Sequence, residues 1–122
     1  VNIIERLLSG VDILFQDRTL KKIYNDQSQL TRVYGAKRAK LLRRRLDDLR
    51  AVDNLDVIRC FPQTRCHELK GDRKGTLAVD LDHPYRLIFE PANSPVPIKP
   101  DGGLDWIRVT AISVLAVEDY HD

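Results

Sequence analysis

Apolar and polar positions along this chain follow two periods, and the change between them divides it into a helical part and a stranded part. VDILFQ (11–16) is short, apolar and β-branched at its start, and reads as a first strand. Asp17 then stands as a helix N-cap. Leu20, Ile23, Tyr24, Leu30 and Tyr34 follow at helical spacing. Gly35 closes that helix, because it can take the left-handed conformation a C-cap needs. A second helix is predicted over about 36–52, with Ala39, Leu42, Leu46 and Leu49 as its apolar stripe at i, i+3, i+7 and i+10. Two amphipathic helices so close in sequence predict an antiparallel hairpin packed on another layer.

That layer follows. NLDVIRCFPQT (54–64) reads as a short helical turn and a loop ended by Pro62. Strands are predicted at 65–70, at 76–81, where Leu77, Val79 and Leu81 alternate with Ala78 and Asp80, and at 85–90. The turns between them are GDRKG (71–75) and DHP (82–84). Four prolines and two glycines make 91–103 an exposed loop. A long last strand is predicted at 106–120, with Ile107, Val109, Ala111 and Ser113 on one face. The order β-α-α-β-β-β-β predicts an α+β fold with an antiparallel sheet. There is no internal repeat.

Length and composition narrow the class. A chain of 122 residues fits one domain, 1–122, with 1–10 as an N-terminal extension. A hydrophobic share of 43% and a charged share of 31% exclude a disordered chain, and no apolar run approaches the roughly 20 residues of a spanning helix. Glu5 and Arg6 interrupt the apolar part of the N-terminus, which argues against a signal peptide and for the cytoplasm. There Cys60 and Cys66 are expected to be reduced thiols. His67 beside Cys66 does not complete a zinc set, so neither metal nor cofactor is expected.

Charge changes the picture more. Net charge is only +2, yet positions 32–50 hold eight bases (Lys37, Arg38, Lys40, Arg43, Arg44 and Arg45 among them) against Asp47 and Asp48. Arg59, Arg65, Lys70, Arg73 and Lys74 form a second basic cluster, while 99–122 has five carboxylates against two bases. One basic face on a nearly neutral chain suits a polyanion. A solvated helix with Arg43–Asp47 and Arg44–Asp48 pairs at i, i+4 accounts for the second helix equally well.

Three runs concentrate candidate chemistry. RCHELKGDRKG (65–75) holds His67, Lys70, Arg73 and Lys74; PYRLIFEP (84–91) holds Tyr85 and Arg86; VEDYH (117–121) closes with Asp119, Tyr120 and His121. Such a set fits RNA cleavage without metal. The 2′-hydroxyl can attack its own neighbouring phosphate if a base takes its proton, cations face the phosphoryl oxygens, and an acid protonates the leaving oxygen. Histidine, with an ordinary pKa of roughly 6.5, can serve as acid or base. Glu68 beside His67 either tunes the imidazole or faces solvent.

These runs, with the RRRLDDLRA helix and from about Asp12 onward, resemble the HigB-like killer toxins of the RelE/ParE superfamily. The resemblance implies a twisted antiparallel sheet packed on a two-helix hairpin. It implies ribosome-dependent mRNA cleavage in the decoding site, and a cognate helix-turn-helix antitoxin, HigA-like, as partner. Residue by residue it places His67 and His121 as the proton-transfer pair, with Asp119 and Tyr120 assisting. Arg86, Lys70 and Arg73 hold the phosphate. Lys74 and the cations of the second helix, Lys37, Arg38, Lys40, Arg43, Arg44 and Arg45, contact RNA backbone. The loop 91–103 is longer than in compact members of the family. A ParE-like gyrase poison is the alternative within the superfamily, and would not need His67, Lys70 and His121; a basic binding module without chemistry is the third reading.

Overall fold

The computed structural model describes residues 10–119, so 1–9 and 120–122, Tyr120 and His121 among them, lie outside the described residues. The chain runs β1 (Asp12–Phe15), α1 (Arg18–Tyr24), α2 (Gln27–Tyr34) and α3 (Ala36–Arg50). Two 3-10 turns follow, Leu55–Cys60 and Pro62–Thr64. Then come β2 (His67–Glu68), β3 (Leu77–Asp80), β4 (Tyr85–Pro91), a 3-10 turn at Trp106–Arg108, and β5 (Ala111–Asp119). The sheet order is β1-β5-β4-β3-β2, and the α+β class predicted from the pattern is the one observed.

The helical part differs from expectation in one place. Asp17 caps α1 as predicted, accepting from the Leu20 amide at 2.9 Å. The helix expected to continue to Gly35 breaks at Asp26. Its extended backbone and its side chain, which accepts from the Ser28 and Gln29 amides, start a new helix. An aspartate offers the backbone this local alternative, and here it ends one helix to cap the next. Gly35, at φ 86°, turns the chain from α2 into α3. Gly10 is needed for a different reason: a Cβ there would fall 1.5 Å from the Arg50 carbonyl oxygen.

The predicted stripe of α3 is the buried one. Ala39, Leu42, Leu46 and Leu49 are all fully buried and pack with Leu30, Leu77, Val79, Leu87 and Phe89 into one core. Each leucine contributes about 2 kcal/mol by leaving water. Directly paired residues share a face of the sheet, so Leu77 with Phe89 and Val79 with Leu87 carry the core side. Ala78 and Ile88, buried outside that core cluster, belong to the other face.

Three features of the strands depart from the sequence expectation. Four of the five strands are linked by antiparallel pairs, but β1 lies parallel to β5, with Asp12 opposite Ala111. Sequence-distant edges can meet in this way, whereas a hairpin cannot make a parallel pair. The last strand begins at Ala111, not at 106. Trp106–Arg108 makes a 3-10 turn, and the Val109 carbonyl is taken by the Leu55 amide. The buried side of β5 is Ile112 and Val114, opposite in parity to the predicted Ala111 and Ser113. Finally, β2 is only two residues long. The stretch 91–103 is largely exposed. Among the described residues no helix is long and apolar enough to cross a membrane.

Candidate functional site

The sheet register brings the candidate residues together on the face away from the helices. His67 is opposite Ala78, which is opposite Ile88; two positions along, Asp80 is opposite Arg86, and Arg86 is opposite Glu118. His67 and Arg86 are therefore neighbours across the small, buried Ala78.

The contacts of His67 favour one tautomer. Nδ1 lies 2.7 Å from the Arg65 carbonyl oxygen, and Nε2 lies 3.5 Å from Arg86 Nη1. A carbonyl only accepts and a guanidinium only donates. Both contacts are satisfied by the neutral ring with its proton on Nδ1 and its Nε2 lone pair toward the cleft. The Arg65 carbonyl is aimed there by an unusual backbone. Arg65, at φ 44° and ψ 46°, is the non-glycine residue of left-handed conformation among the described residues. That conformation costs an L-residue about 1–2 kcal/mol, and the turn retains it directly before His67.

Two clefts meet at the His67–Arg86 pair. One, of about 300 Å³, is lined on its far side by Arg65, Asp80, His83 and Tyr85. The other, of about 320 Å³, is lined by Glu68, Leu69, Lys70 and Arg73. Cations surround both, each held differently. Arg73 is fixed by Glu118 at 2.6 Å, and Arg65 lies 3.5 Å from Asp80. Lys70 is exposed at the rim. Phosphoryl oxygens at the junction would meet guanidinium and ammonium donors beside an imidazole lone pair. Among the described residues no three or more His, Cys, Asp or Glu side chains are grouped to hold a metal ion.

Of the residues singled out from sequence, His67, Arg86, Lys70 and Arg73 line this junction. Asp119 ends β5 opposite Tyr85, one position from Arg86 and Glu118. Tyr120 and His121 lie outside the described residues. Lys74 is on the adjoining turn and lines a separate hollow with Glu90, Val96 and Ile98. Glu68 does not turn toward His67; its carboxylate accepts the Trp106 indole N–H at 3.0 Å.

The cations of α3 divide into two groups. Lys37, Lys40 and Arg44 are exposed. Arg38 makes a two-pronged bond to Asp82 at 3.0 and 3.1 Å and lies 3.5 Å over the Tyr85 ring, tying α3 to the β3–β4 turn. Its guanidinium holds the Asp82 carboxyl below the usual carboxylate range. Arg43 donates to the Tyr24 carbonyl and to Gln27, closing the end of α1. Arg45 is buried and donates to the Asp80 and Gln63 carbonyls. The helix ion pairs are Arg45–Asp48 and Arg50–Asp47 at i, i+3, in place of the expected i, i+4 pairs.

Sequence reasoning missed Arg65, Asp80 and His83 as cleft residues. Alternation already put Asp80 on the face opposite Val79, but nothing in the sequence said that this face is the one left open. A left-handed arginine has no sequence signature.

Residues 13–97 match the family model of HigB-like toxins, described as a RelE-like toxin of the type II toxin–antitoxin system HigB. The matched span contains His67, Lys70, Arg73 and Arg86 and ends before β5. No curated protein and no solved structure matches the chain.

Proposed function

This chain belongs to the HigB-like family of RelE-like toxins of type II toxin–antitoxin systems, and from that premise we propose that it is an endoribonuclease that cuts mRNA on the ribosome and so stops translation. Membership of a type II system implies a cognate antitoxin; a HigA-like helix-turn-helix protein is the proposed partner. A ribosomal target puts its action in the cytoplasm.

The observation that carries the reading is the His67–Arg86 pair, with Nδ1 2.7 Å from the Arg65 carbonyl and Nε2 facing the Arg86 guanidinium. His67 Nε2 takes the proton of the RNA 2′-hydroxyl. The 2′-oxygen then bonds to the adjacent phosphorus and the bond from phosphorus to the 5′-oxygen breaks. The products are a 2′,3′-cyclic phosphate and a 5′-hydroxyl. Arg86, Lys70 and Arg73 offset the charge gathering on the phosphoryl oxygens. Protonation of the leaving oxygen is assigned to the closing Asp119-Tyr120-His121 run, with His121 the proton donor. Lys37, Lys40 and Arg44 form the proposed surface for ribosomal RNA backbone. Arg38, Arg43 and Arg45 serve this surface by holding α3 in place.

The test is a cleavage map in a cell-free translation reaction, with and without ribosomes, read by primer extension. Wild type is run beside Arg86→Ala and His121→Ala. Cuts that require ribosomes and fall by about 10²–10³ in each variant, with 2′,3′-cyclic phosphate ends, are the expected result. No cuts from a protein that still arrests growth would replace this reading with the gyrase-poison alternative.

A further inference from the structure

His67 sits on a poorly supported element. Strand β2 is two residues long, at the end of the sheet order, and among the described residues pairs with β3 at Ala78 and Leu77, extended by one backbone bond from the Leu69 amide to the Thr76 carbonyl. Both its residues are exposed. A strand this short frays easily unless something beyond the ladder holds it.

That support comes from a part of the chain beyond the family match. Glu68 follows His67, and alternation sends its side chain to the opposite face. There it accepts the Trp106 indole N–H at 3.0 Å. Trp106 is itself well anchored. It is buried, and the Arg59 guanidinium lies 3.7 Å over its ring. Its turn is joined to the core through the fully buried Val109, whose carbonyl accepts from Leu55. The loop leading into that turn is pinned as well, with the Asp105 amide donating to the Pro97 carbonyl. A continuous chain of contacts therefore runs from the core through Trp106 to Glu68, one residue from the imidazole.

We propose that Trp106 and Glu68 are positioning residues that brace β2 from behind and so keep the His67 ring on the Arg65 carbonyl with Nε2 facing Arg86. The brace makes the Trp106–Arg108 turn, outside the span shared with the family model, part of the catalytic apparatus without its touching substrate. The consequence for cleavage rests on the nuclease reading above; the consequence for the His67 ring does not.

The experiment compares wild type with Trp106→Phe, which keeps a ring under Arg59 but has no N–H, with Glu68→Leu, and with Glu68→Gln, which keeps an acceptor. Each is first shown folded by its thermal transition. The two readouts are the His67 ring nitrogen signals in NMR and the cleavage rate on programmed ribosomes. Wild type and Glu68→Gln should show a single Nδ1–H tautomer. Trp106→Phe and Glu68→Leu should show mixed tautomers and a kcat lower by roughly ten- to a hundredfold, with KM little changed. The Trp106→Phe/Glu68→Leu double variant should be no worse than either single one. Unaltered ring signals in folded Trp106→Phe and Glu68→Leu would overturn the brace. Altered ring signals in a protein that never cleaves RNA would uphold the brace and reject the nuclease reading.

Discussion

Arg44 and Arg45 are neighbours on α3 with opposite surroundings, and replacing each by methionine should separate a docking cation from a structural one. Arg44 is exposed, whereas Arg45 is 8% exposed. The Arg45 guanidinium donates to the Asp80 carbonyl at 2.8 Å and the Gln63 carbonyl at 3.3 Å, and its ion pair with Asp48 is longer, at 3.5 Å. Methionine keeps the apolar stem and strands two part-buried carbonyls. A hydrogen bond from a charged donor is worth about 1.5–3 kcal/mol, and the second bond here is long. Removing the buried charge also removes its desolvation cost, which offsets part of the loss. The net expectation is about 2–4 kcal/mol, a large share of the roughly 5–15 kcal/mol that holds a domain of this kind. With a urea dependence of about 1.5 kcal/mol per molar, the unfolding midpoint should fall by roughly 2 M. Arg44→Met should stay within about 0.5 kcal/mol of wild type. Equilibrium urea unfolding followed by tryptophan fluorescence measures both. Coincident curves for Arg45→Met and wild type would refute the argument, since those two bonds would then hold nothing.

Three further outcomes are expected. Charge reversal of Lys37, Lys40 and Arg44 to Glu should reduce ribosome co-sedimentation and flatten its dependence on salt, while the thermal transition stays near wild type; undiminished co-sedimentation would return that face to solvent. Asp82→Asn should cost about 1–2 kcal/mol at neutral pH. Because Arg38 depresses the folded-state pKa of Asp82, its contribution is present above the ordinary carboxylate range and disappears as pH falls through the depressed value. Stability curves of the two proteins should therefore converge in acid, and parallel curves would count against the pair. Burial pushes the Cys66 thiol up to about 12, so iodoacetamide at pH 8 should label the exposed Cys60 well before Cys66, as read by peptide mass spectrometry; equal rates would contradict the burial of Cys66.

The sequence was most legible where one face of an element meets the core. The α3 stripe of Ala39, Leu42, Leu46 and Leu49 and the alternation of Leu77 and Val79 were readable because burial selects apolar side chains at the period of the backbone. Caps were readable at Asp17 and Gly35 for a similar local reason. Asp26 carries the same chemistry, but Ile23, Tyr24 and Leu30 keep the helical spacing across it, and periodicity concealed the break. The parity of β5 failed because Ile107 and Val109, which set the predicted face, lie before the strand: Ile107 is exposed on the 3-10 turn, and Val109 is buried where its carbonyl meets the Leu55 amide.

What the sequence determined by itself was the class of fold, the helical stripe, the turns, and the residue types gathered at the candidate site, since each depends on neighbours a few positions away. The tertiary structure decided which cations of α3 face solvent and which are spent inside the fold. It alone joined β1 to β5, set His67 beside Arg86 across Ala78, aimed the Arg65 carbonyl at Nδ1, and turned Glu68 away to Trp106. These pairings join residues as much as 99 positions apart, as Asp12 and Ala111 are. A guanidinium 44 positions from its carboxylate, like Arg38 from Asp82, leaves no periodic trace, because the choice between partner and solvent is made only when the layers pack.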